Sequence, residues 1–124
     1  MENSNQRFTE LEVWKKARQL KINIREVTDC LPTDEKFRLA DQLLRASRSV
    51  GTCIAEGHGR FTYKDQLHFC VMARGSLSEI LNHLIDCLDE KYIDNDLLQQ
   101  LSAQVREVER ILNGYITWLR KQSK

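Results

Sequence analysis

Arg45, Arg48, Glu56 and Arg60 stand in the stretch LLRASRSVGTCIAEGHGR, residues 43–60. Around them are mostly small residues: Ala46, Ser47, Ser49, Gly51, Ala55, Gly57 and Gly59. Three chemistries fit charges set among so little bulk. A catalytic loop would use Glu56 as acid or base, but that role needs a pocket partner. A phosphate cradle would use Gly57-His58-Gly59-Arg60, yet the run is too short and no strand precedes it. A tightly packed helix end would use the small residues for close approach and leave the charges to be paired. On that third reading, Arg45, Arg48, Glu56, Arg60 and Glu79 are structural polar residues. An Arg–Glu pair between the second and third helices would satisfy both groups and help fix register, with little net stability.

Metal and nucleophile chemistry find less support. A di-metal bundle needs two Glu-x-x-His motifs and two further glutamates. The chain has Asp65-x-x-His68 once, and Glu79-x-x-x-His83 at the wrong spacing. His83 and Cys87 are one helical turn apart, but two ligands do not make a zinc site. They read as a surface histidine beside a packing cysteine. Cys30, Cys53, Cys70 and Cys87 form no C-x-x-C pair and read as reduced thiols, mostly buried. No nucleophile elbow or triad spacing appears. The expectation is a protein that is not an enzyme, with no catalytic residues, metal, cofactor or small-molecule substrate.

Cationic residues carry a different chemistry. Arg106, Arg110, Arg120, Lys121 and Lys124 fall within about 100° of one another on a helical projection, with Asn113 and Thr117 between them. No acid lies centrally on that face. Arg18, Lys21 and Arg25 form a second stripe at spacings of 3 and 4, with Trp14 one turn before Arg18. These stripes are either solvated faces or phosphate-binding surfaces. The formal net charge is only +1, so affinity for nucleic acid depends on where the charges sit.

The elements that position these residues follow from periodicity. The chain has 124 residues, a single-domain length, with one Pro and five Gly, which predicts long helices and few loops. No apolar run approaches 18 residues and none opens the chain, so neither a membrane span nor a signal peptide is expected, and the protein is expected in the cytoplasm. The first seam is Val13, Ala17, Leu20, Ile24, Val27, Leu31, with Thr9 and Glu12 as a capping box and Pro32 after its end. The second, over about 34–56, is Ala40, Leu43, Ser47, Val50, Ile54, closed by an αL cap at Gly57-His58-Gly59. The third starts with Thr62 as N-cap and runs Cys70, Ala73, Leu77, Ile80, Leu84, Leu88. The fourth starts near Asp94 and runs Leu98, Leu101, Val105, Val108, Leu112, Tyr115, Leu119. Short connections force successive helices antiparallel, giving an all-α, up-down-up-down four-helix bundle over 9–124 with an N-terminal arm at 1–8. Gly51 is expected at a close helix contact.

Leu11, Trp14, Ile22, Ile111 and Trp118 fall off these seams. They either form a subunit interface or widen the core stripe.

The run Leu43-Leu44-Arg45-Ala46-x-x-Ser49-Val50, followed by Ile54-Ala55-Glu56-Gly57-x-Gly59-Arg60, resembles the signature of the bacterial 23S rRNA intervening-sequence proteins. Phe8-x-x-Leu11-x-Val13-Trp14-x-x-Ala17 is similar to that family's first helix, and Phe69-x-x-x-Ala73-x-Gly75-Ser76-x-x-Glu79 to its third. Where the family usually has Asn, this chain has Cys53. The resemblance implies a small cytoplasmic bundle protein assembling as a homo-oligomer, a pentameric ring. A related branch serves diversity-generating retroelements as the accessory subunit of a reverse transcriptase, where a basic ring surface binds nucleic acid. In such a ring, repeated stripes would form a continuous positive band from a nearly neutral subunit. The expected function is therefore nucleic-acid binding, most directly of RNA, with the reverse-transcriptase accessory and the purely structural interaction module as alternatives and no membrane partner.

Overall fold

The computed structural model describes residues 6–123. Four helices make up most of it: α1 (Glu12–Asp29), α2 (Leu39–His58), α3 (Tyr63–Asp89) and α4 (Asn95–Gln122). Single 3-10 turns cover Phe8–Glu10 and Thr33–Glu35, and no strand occurs among the described residues. None of the described helices is long and apolar enough to cross a membrane.

Each helix buries most of the seam that its spacing predicts, although Leu31 lies past the end of α1 and, like Leu88, is half-buried. Val13, Ala17, Leu20, Ile24 and Val27 line the core from α1, and Ala40, Leu43, Ser47, Val50 and Ile54 from α2. Cys70, Ala73, Leu77, Ile80 and Leu84 do so from α3, and all seven seam residues do so from α4. Burying one Leu or Ile contributes about 1.5–3 kcal/mol, more than a cap or surface ion pair, so the seams set the helix faces.

The helices pack in chain order, with α4 closing back on α1. Cross-helix contacts run in opposite order along each pair. Ser49 of α2 meets Ser76 of α3 at 2.9 Å, while Gly57 meets Phe69. Arg74 of α3 reaches Asn113 of α4, while Tyr63 meets Trp118. Asn23 near the end of α1 donates to Gln104 near the start of α4 at 2.9 Å. The bundle is antiparallel throughout.

Helix ends show where local signals win and where burial overrides them. The Thr62 hydroxyl accepts from the Asp65 N–H at 3.1 Å, and the Asp94 carboxylate accepts from the Leu97 N–H at 2.8 Å. Such caps are typically worth about 1 kcal/mol. The capping box at Thr9 and Glu12 does not form. Thr9 sits in the 3-10 turn, and the N-cap is Leu11, which makes no side-chain cap bond. Leu11 is 5% exposed, so its place in the core fixes where α1 begins. Likewise α2 starts at Leu39 rather than near residue 34, because Pro32 and the 3-10 turn hold the chain out until the buried pair Leu39 and Ala40. The described part of the N-terminal arm is held down: the Gln6 carbonyl lies 2.6 Å from His58 Nε2, and Phe8 sets its ring 5.3 Å from Trp14.

The αL cap expected at Gly57-His58-Gly59 is absent. Gly59 closes α2 with φ −79°, in the right-handed region. The left-handed residue is instead Lys91 after α3, at φ 64°. Its N–H bonds the Leu88 carbonyl at 2.9 Å and the Tyr92 N–H bonds the Cys87 carbonyl at 2.8 Å, a Schellman pair of bonds. The Tyr92 hydroxyl then donates to Glu35 at 2.8 Å, tying the α3–α4 connection to the α1–α2 connection.

The close approach expected at Gly51 lies at Gly57. A Cβ on Gly57 would sit 2.8 Å from Phe69 Cβ and 3.2 Å from the Gln66 carbonyl. At Gly51 the nearest atom is Trp14 Nε1 at 3.5 Å, an ordinary contact. Gly57→Ala should therefore destabilise the protein by about 1–3 kcal/mol, since α3 must shift. Gly51→Ala should be neutral or stabilise by up to about 1 kcal/mol through helix propensity. Urea denaturation of both variants checks this pair, and the reverse order would place the tight contact elsewhere.

Candidate nucleic-acid interface

Small residues on one flank of α2 leave a low floor between α1 and α2. Ser47, Gly51 and Ala55 face Ala17 across it, and Arg18, Lys21 and Arg48 stand around it. Phe8 and Trp14 wall one end, and Thr52 completes the lining of a hollow of about 380 Å³. Among the described residues, no carboxylate lines this hollow. The Arg18 guanidinium carbon lies 5.9 Å from the Trp14 ring centroid, a cation–π arrangement that steers the arginine along the groove.

Arg48 also lines a second hollow farther along the same seam, about 540 Å³, together with Arg25, Asp29, Lys36 and Leu44. Its acid, Asp29, is bound to Arg25 at 3.0 Å. The two hollows share Arg48 and lie along one α1–α2 seam, called the trough below, with five cations lining them. Phosphate oxygens are the groups such a surface suits, because each Lys or Arg contact releases condensed counterions.

The α4 stripe is less open than its spacing suggests. Arg110 is held by Glu107 through two bonds, Nε at 3.1 Å and Nη2 at 2.7 Å. The hydrogen bond from Arg110 holds the Glu107 carboxyl below its usual range, and the same bond raises Arg110. Among the described residues no acid lies centrally on the face, but Glu107 on the neighbouring flank reaches across one turn to engage Arg110. Arg106, Arg120 and Lys121 are exposed, and Lys124 lies outside the described residues. Arg74 of α3 joins this face by donating to Asn113 at 3.3 Å.

The expected Arg–Glu pair between α2 and α3 does not form from the residues chosen for it. Arg45 pairs with Asp41 at 3.7 Å and Arg60 with Glu56 at 2.9 Å, each within or at the end of α2. Glu79 bonds His83 at 3.1 Å on its own helix. Here α2 and α3 approach through serine and glycine, so long side chains are pushed to the rim. Arg45 and Glu79 line the same outer cleft without pairing. Arg48 lies on the opposite flank of α2, in the trough.

The interface residues are also redistributed. Leu11 is core; Trp14, Ile111 and Trp118 are half-buried against it, Trp118 stacking on Tyr115 at 6.1 Å and meeting Tyr63 edge-on. Only Ile22, 44% exposed, stands outside the bundle's own packing. His83 is buried rather than on the surface, flanked by Glu79 and by Asp86 at 3.7 Å.

The family described as 23S rRNA-intervening sequence protein matches residues 9–114. The chain belongs to that family. A protein of unknown function from the S23 ribosomal protein family of Bacteroides thetaiotaomicron is similar in fold, with a TM-score of 0.78 at 21% identity over 85% of this chain and 95% of that one. No curated protein matches the chain.

Within this member of the 23S rRNA-intervening sequence family, sequence reasoning found Arg18, Lys21 and Arg25 but assigned Arg48 to packing, and it missed Lys36 and Arg74. Arg48 carried a signal in its spacing: it lies one turn from Leu44 and Thr52, off the seam. Which helix that flank faces is not written in the spacing.

The cysteines separate cleanly. Cys30 is exposed and Cys53 half-buried, whereas Cys70 and Cys87 are buried. Burial pushes the Cys70 thiol up to about 12 and the Cys87 thiol to about 11, so both stay protonated at neutral pH. An alkylating reagent at neutral pH should label Cys30 first and reach Cys70 and Cys87 only on unfolding. Peptide mass spectrometry reads this, and rapid native labelling of Cys87 would contradict the packing of α3.

Proposed function

We propose that this protein is a non-enzymatic RNA-binding bundle that holds phosphates along its basic surface, chiefly in the α1–α2 trough. The observation that carries the reading is the first hollow, where Arg18, Lys21 and Arg48 surround a floor of small residues with no carboxylate in the lining among the described residues. A nearly neutral chain has little nonspecific pull on nucleic acid, so a local concentration of cations matters more than the total. The α4 face, with Arg106, Arg120 and Lys121, is a secondary surface because Arg110 is engaged by Glu107. The family name, which refers to an rRNA gene insertion, agrees with RNA as the polymer.

Changing Arg18, Lys21 and Arg48 together to Gln keeps the aliphatic stems and removes the charges. RNA affinity should fall, and the slope of log K against log salt should flatten by about 0.7 for each phosphate of a single strand that is no longer neutralised. The same substitutions at Arg106, Arg120 and Lys121 should have a smaller effect. Fluorescence anisotropy over a salt series measures both. Unchanged affinity in both triple variants would favour a structural interaction module.

The assembly we propose is a homo-oligomer, pentameric as the family resemblance implies, which would repeat the trough around an axis. Val71, Met72 and Ile85 leave the outer side of α3 apolar at 38%, 47% and 43% exposure, which suits contact between copies. Light scattering should give a multiple of the 14.6 kDa chain mass. A monomer mass at micromolar concentration would remove the ring.

A further inference from the structure

Phe37 is 84% exposed, although the backbone around it is well tied. The Lys36 N–H bonds the Thr33 carbonyl at 3.1 Å, and the Arg38 N–H bonds the Glu35 carbonyl at 3.1 Å. Glu35 itself is held by the Tyr92 hydroxyl. A phenyl ring is thus kept in water by a hydrogen-bonded turn, at a cost that neighbouring packing does not offset. Its position is informative: Lys36, the adjacent residue, lines the second hollow of the trough together with Arg48. The Lys36 ammonium lies 5.5 Å from the Phe37 ring centroid.

We infer that the trough takes a single, unpaired RNA strand, and that Phe37 is a stacking platform for one of its bases. The inference rests on the RNA-binding reading above and names the form of RNA. Single-strand sites combine a cationic groove that tracks the backbone with aromatic faces that accept any base. Here the groove runs beside α1, whose 18 residues span about 27 Å. On this reading Lys36, whose ammonium lies over the Phe37 ring, swings to the phosphate of the nucleotide that stacks there. A paired duplex hides its bases within the stack and cannot offer one to an exposed ring, so the ring discriminates between the two forms.

The test uses the full chain with a short unstructured oligouridine and with an RNA hairpin stem. Phe37→Ala should weaken oligouridine binding by roughly 5- to 150-fold, the effect of removing one stacked base, without changing the salt slope. Stem binding should stay near the parent value, and Phe37→Trp should restore oligouridine affinity with quenching of tryptophan emission. Circular dichroism should show no loss of helix, since the side chain is in solvent. If Phe37→Ala binds oligouridine like the parent while the Arg18, Lys21 and Arg48 triple variant does not, stacking is wrong and RNA binding stands. If neither variant changes binding, both readings fall.

Discussion

The close approach of α2 to α3 governs much of what the surface looks like. At Gly57 the two helices are near enough that a single added Cβ would meet Phe69 Cβ at 2.8 Å, and toward the middle of α2 Ser49 and Ser76 share a hydrogen bond at 2.9 Å. On the α2 side these contacts are made by Ser49 and Gly57, while Arg45 and Glu79 find partners on their own helices at the rim and Glu56 pairs with Arg60 just past the end of α2. Exposed ion pairs such as Arg45–Asp41 and Arg60–Glu56 contribute little to stability, typically less than about 1 kcal/mol. Their arrangement follows from the helix contact and does not create it.

The other flank of α2 uses small residues in a different way. Against α1 they are not overrun by a neighbour but left as the floor of a trough, because the facing seam residue is the small Ala17, flanked by Trp14 and long cations. One stretch, residues 43–60, therefore supplies a tight joint on one side and an open groove on the other. Arg48 points into the groove because the helical turn puts it about 100° around from the joint.

Electrostatics is sorted by the same geometry. The net charge is +1, yet the acids and bases are not evenly mixed in space. Glu107 takes Arg110 out of the α4 row, Asp29 takes Arg25 within the trough, and Arg18, Lys21 and Arg48 stand in a hollow that no acid lines among the described residues. A chain with no overall basic character thereby acquires a concentrated positive surface.

The sequence by itself determined the four helices, most of their buried faces, their antiparallel order and the Thr62 cap, because a 3.6-residue period and short connections leave one way to bury four seams. It also determined the cations of α1. Tertiary structure alone decided which glycine is indispensable, that Leu11 belongs to the core, that His83 is buried, and that Arg48 and Lys36 complete a basic trough. The reason is that periodicity reports the angle of a residue around its own helix axis. Which neighbour stands at that angle, and how near, depends on how the helices pack, and that distance separates a clash from a groove and a paired charge from an open one.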